Sequence, residues 1–167
     1  MRYVVVLTLV CAVAGVASAE DNVNEVFDSL YGDQLRRVTQ SRDQADDVDL
    51  AKQLIESAPS AAEQPALAGL MCEHAYKLSS GVRTGYDTAV TALQQWEKHL
   101  PAKAEFCLRN IYNLRSRQYN MAGGNTAKRA AGERLIGATL GFADHFEKTK
   151  DTTNQVAQLR RAGRAAD

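Results

Sequence analysis

The chain has 167 residues, with 20 basic and 20 acidic side chains that cancel at neutral pH; overall charge therefore gives no argument for a nucleic-acid partner or an anionic membrane surface. Hydrophobic residues make up 45%, and the length suits one packed core. Alternation of apolar and polar residues is absent after the first stretch, so strands are not expected.

The opening residues read as an export signal. Met1-Arg2-Tyr3 is a short positive start, Val4 to Val16 is apolar apart from Thr8 and Gly15, and Ala17-Ser18-Ala19 has the small-x-small ending cut by signal peptidase. Cleavage is expected before Glu20, leaving 148 residues as one α-helical domain over 20–167 in the periplasm or outside the cell. The apolar run falls short of the roughly 20 residues that span a bilayer, so no membrane insertion is expected after cleavage. Cys11 invites a lipoprotein reading, but Val10 stands where that cleavage wants a small residue.

Helical stripes follow in order. Val23, Val26, Phe27, Leu30, Tyr31, Leu35 and Val38 form the first, with Gly32 as a weak point. The second is Val48, Ala51, Leu54, Ile55 and Ala58, for which Asp46 and Asp47 suit the cap and the positive end of the helix dipole. Pro65 begins a third helix ending at Ser79-Ser80-Gly81, and a fourth carries Tyr86 to Leu100 before Pro101 closes it. The fifth runs to Gly123-Gly124. Asn125 or Thr126 is expected to cap a long sixth helix, and Asp151 or Thr152 a short last one with Val156 and Leu159 on its buried face. Short connections make successive helices antiparallel neighbours.

Tyr86-Asp87-Thr88-Ala89, then Leu93, then Pro101, places a small residue at a helix crossing, a large apolar residue four later and a closing proline eight beyond. This fragment resembles the second half of a tetratricopeptide repeat, and the likeness extends over Pro65 to Ala143. It implies antiparallel helical hairpins stacked as a short right-handed solenoid; a compact helical bundle is the alternative fold. Trp96 departs from the family's usual alanine, and Ile111 or Tyr112 falls where the next unit wants a small residue. Trp96 is expected in the core, in register with Ala89 and Leu93.

Groups able to carry chemistry are few. Cys72 and Cys107 lie 35 residues apart, close to one repeat, which places them at similar heights on neighbouring parallel helices; they are either a disulfide or two small buried apolar residues. Such a bond would add about 3.5 to 4 kcal/mol on the loop-entropy model. Cys72 and His74 diverge by about 200° on a helix and make a poor ligand pair, and His74 falls on the apolar stripe. His99 and His145 suit the negative ends of their helices. Gly123-Gly124-Asn125-Thr126 lacks the phosphate-loop pattern and reads as a hairpin turn.

Charge is unevenly spread. Glu20 to Glu63 has a balance of −7, whereas Pro101 to Arg134 has +5. Arg109, Arg115, Arg117, Lys128 and Arg129 therefore form a candidate binding face for an acidic peptide or polymer, unless the acidic segment covers them. No acid, base and nucleophile set is visible, and no metal or cofactor is expected. The sequence reads as an exported, non-catalytic interaction module for another protein or peptide. The alternatives are an extracytoplasmic enzyme with scattered catalytic groups and the N-terminal portion of a longer cell-envelope protein.

Overall fold

A computed structural model describes residues 14–166 of the chain, with side-chain surroundings from 22 to 164. The start and apolar run of the expected leader lie mostly outside the described residues. Seven α-helices and no strand appear among those described: α1 (Ala14–Gln40), α2 (Gln44–Ser57), α3 (Pro65–Ser80), α4 (Tyr86–His99), α5 (Ala104–Met121), α6 (Asn125–Lys148) and α7 (Thr152–Ala166). Short 3-10 turns precede α4 and α5 and follow α2.

The start of α2 corrects one expectation. Asp43, in extended backbone, accepts a hydrogen bond from the Ala45 N–H at 2.9 Å and is the cap, while Asp46 and Asp47 occupy the first turn. Burial first, and then the charges of Asp46 and Asp43, push the Asp47 carboxyl above its ordinary range. Gly32 does not interrupt α1. Its nearest outside atoms belong to Arg36 and Asp28 of the same helix, and the roughly 1 kcal/mol that glycine costs in a helix is offset where Phe27 enters the core at 2% exposure.

Pro65 and Gly81 bound α3 as expected. Close approach marks the contact between α3 and α4. A β-carbon on Gly85 would lie 2.5 Å from the Ser79 carbonyl oxygen, and one on Gly69 would lie 2.4 Å from Leu100. Only glycine fits beside the Ser79 backbone, because a carbonyl cannot swing aside as a side-chain end does. Ala89, Leu93 and Trp96 are all buried on the inner face of α4, as their register requires.

Between α5 and α6, Gly124 takes φ +77°, a conformation open to glycine at little cost. It occupies the cap position with no side-chain hydrogen bond, and Asn125 is already helical, so neither Asn125 nor Thr126 is the cap. Lys128 secures this turn by donating to the Tyr119 carbonyl at 2.9 Å while its ammonium lies 3.9 Å from the Tyr119 ring centre.

Asp151 caps α7 by accepting from the Asn154 N–H at 3.1 Å. The expected phase of α7 is wrong, however. Gln158 and Ala162 are buried against the fold, while Val156 and Leu159 are 39% and 46% exposed. Arg161 donates to the Gln158 side chain at 3.3 Å and sits over the Tyr112 ring of α5. The face that α7 turns to α6 is thus the one carrying small and amide groups, with Arg161 reaching over to α5.

From α2 onward each helix packs chiefly against its chain neighbours, α2 also touching α4, whereas α1 rests on α3 more than on α2. The largest buried cluster runs from α1 to α5 through Phe27, Leu54, Met71, Leu93, Trp96 and Ile111. Leu135, Phe142 and Phe146 of α6 are buried outside it.

Candidate binding groove

Four of the five basic residues singled out by sequence are engaged by partners within the chain. Arg109 pairs with Glu105 one turn away, and Arg129 lies 3.4 Å from Glu133. Lys128 is committed to Tyr119. Arg115 turns inward, its side chain only 16% exposed, and bonds to Asp87 of α4 and to Gln118. Arg117 remains exposed. The acidic partner of Arg115 is therefore on α4, not on the acidic N-terminal segment. Opposing tendencies act on Asp87. Burial raises its carboxyl, but hydrogen bonds from Arg115 and Gln118 and the charges of Arg115 and Arg134 outweigh it and hold Asp87 below the usual carboxylate range.

Cys72 and Cys107 are free thiols with no exposed surface. Burial pushes each up to about 12, and Cys107 also feels the charges of Glu97 and of Cys72 across the α3–α5 contact. That contact includes Tyr76 donating to the Asn110 side chain at 3.0 Å and packing edge-on to Phe106. His74 stacks on Phe27 with ring centres 4.5 Å apart. Burial, then the charge of Lys77, lowers its pKa, while Glu73 and Asp28 pull it upward. Among the described residues, no three His, Cys, Asp or Glu side chains gather as a metal-binding group.

A groove of about 310 Å³ opens between α4, α5 and α6. Its walls are Val90, Gln94 and Glu97 of α4, and Arg134, Gly137, Ala138 and Gly141 of α6, while α5 contributes Leu108, Ile111 and Arg115. These positions recur three or four residues apart, so each helix presents a single face. A β-carbon on Gly137 or Gly141 would meet nothing within 4 Å. The groove exists because α6 offers bare backbone at these two positions. A further hollow of about 500 Å³ shares Gln94 and Glu97 and continues over Lys98, Pro101 and Ala104.

Charge is ordered along this surface. Arg115 and Arg134 lie at one end beside Asp87, and Glu97 lies toward the other. Arg115 is neutralised by Asp87, whereas Arg134 makes no ion pair among the described residues. The lining contains no hydroxyl, thiol or imidazole, so its chemistry is apolar contact and charge recognition. A wider cleft of about 580 Å³ between α1 and α2 is lined mainly by polar residues, among them Gln34, Arg37, Asp46, Asp49 and Gln53, with Leu50 as its buried apolar member. Sequence reasoning missed the glycine pair, although Gly137-Ala138-Thr139-Leu140-Gly141 carries the small-x-x-x-small spacing that lets helices approach.

Comparison with protein-family models, curated proteins and solved structures finds no match to this chain.

Proposed function

We propose that this chain is an exported, non-catalytic interaction module built from stacked helical hairpins of tetratricopeptide type, and that it binds another protein or peptide. Several features support the stacking. Residues one repeat apart face each other in α3 and α5, as Tyr76 does Asn110, and helices pack mainly on their chain neighbours. The export reading rests on residues 1–19, and the intact mass of the secreted product tests it: a species beginning at Glu20 is expected, and one retaining Met1 overturns it.

The observation that carries the binding reading is the groove between α4 and α6, with an apolar floor, an unpaired Arg134 and two open glycines. Its size falls in the range of ligand sites, which are concave and largely apolar with a few oriented polar groups. Selection of a random peptide library on the purified protein, counter-selected on a Gly137→Leu/Gly141→Leu variant, tests the assignment. Peptides that bind the parent and not the filled variant are expected. A library that yields none overturns the module reading.

A further inference from the structure

The walls of the groove belong to three α-helices, whose backbone N–H and C=O groups are spent on their own intrahelical bonds except at the end of α4, where Pro101 offers no N–H to the Glu97 carbonyl. An extended peptide pressed into such a groove finds few partners for its main chain, and an unpaired buried amide or carbonyl is costly. A helix brings its backbone bonds with it. The two bare glycines also remove the side-chain layer that would otherwise keep a second helix at the usual 8–10 Å separation.

The lengths agree. Along α5 the positions Ala104, Leu108, Ile111 and Arg115 form one row eleven residues long, about 16 Å at 1.5 Å per residue. Three helical turns cover that span. Val90 and Glu97 of α4 are seven residues apart, about 10 Å, and the antiparallel course of α4, α5 and α6 puts Arg134 near the Val90 end.

Resting on the module reading above, we infer that the groove takes an amphipathic helix of about three turns from a partner protein. Such a helix presents an acidic residue to Arg134, a basic residue seven positions away to Glu97, and small or aliphatic residues between them to Leu108, Ile111, Gly137 and Gly141. Charge complementarity selects this occupant over a uniformly acidic or basic one, because the groove holds an unpaired cation, Arg134, whose charge acts on Asp87 near the start of α4, and a carboxylate, Glu97, toward the other end of that helix.

The test uses end-blocked fifteen-residue peptides of alanine-rich helical sequence, labelled for fluorescence polarisation. One carries Glu, then Leu three and four residues later, then Lys at the seventh; a second replaces the Glu with Lys; a third keeps the charges but has proline at the centre. The Glu/Lys helix is expected to bind at least tenfold more tightly than the Lys/Lys and proline peptides. Arg134→Glu is expected to reverse the preference toward Lys/Lys. The Gly137→Leu/Gly141→Leu variant is expected to lose binding while keeping its melting temperature, since neither new side chain meets an existing atom at its root. Equal binding of the proline peptide, or no reversal in Arg134→Glu, overturns the helix assignment. Library peptides that depend on the groove but lack helical spacing would do so too, while leaving the module reading intact; a library with no groove-dependent binder removes both.

Discussion

His74 joins α1 to α3 through a ring stack, so its protonation state bears on how firmly the first helix is held. Its folded pKa lies below the ordinary imidazole value of 6.5 because burial and Lys77 disfavour the cation. On acidification the unfolded chain therefore takes up the proton first. Stability present above pH 6.5 is lost as pH falls through 6.5 toward the folded value. The melting temperature is expected to drop between pH 7.5 and 5.5, and His74→Phe, which keeps the stack with Phe27, should flatten that slope; an unchanged slope would place the titration elsewhere. The two cysteines give a second residue-scale expectation. With both thiols at about 12, roughly one in ten thousand is ionised at pH 8, and the thiolate is the reactive form. The native protein should resist alkylation for hours. Two thiols should then titrate in guanidinium without reductant, and a count of zero would mark an oxidised Cys72–Cys107 pair.

At the scale of elements, what the sequence made readable and what it hid have separate causes. Pro65, Gly81, Pro101 and the Gly123-Gly124 pair act through their own backbones, so α3, α4 and α5 end where those residues say. The cap of α2 was hidden because three aspartates, Asp43, Asp46 and Asp47, compete for the position and only the chain's extended turn at Asp43 decides it. The phase of α7 was hidden for a different reason. Its sparse apolar residues define no broad stripe, and its rotation is set by its packing on α6 rather than by its own pattern. The groove escaped notice because glycines inside a helix signal weakness locally, and their use appears only when a neighbouring helix leaves them uncovered. The α7 assignment predicts an inversion of the usual expectation: Leu159→Gln should shift stability by less than about 0.5 kcal/mol, whereas Ala162→Leu, which overpacks a position 7% exposed, should cost about 1–3 kcal/mol. Urea melts of the two variants decide it.

The +5 segment reads along the chain as a single electrostatic surface, and in the folded molecule part of its charge is paired. Glu105, Asp87 and Glu133 each take one arginine, so local sequence charge overstated the field. The helical class was legible throughout because every stripe kept a 3.6-residue period. Packing between chain neighbours has a kinetic consequence. When most contacts join segments close in sequence, few long loops must close before contacts form, and folding is fast. Refolding after a denaturant jump is expected within milliseconds, in the range of helical proteins, and slower phases of seconds would argue against purely local assembly. The same arrangement grades the molecule from centre to ends. Backbone amides of α3 and α4, which pack on each other and supply much of the main core, should exchange slowest in deuterated water, while those of α7, outside that core, should exchange fastest. A partner seated on α4, α5 and α6 would then act as a splint, carrying the protection of the centre outward to the last helices.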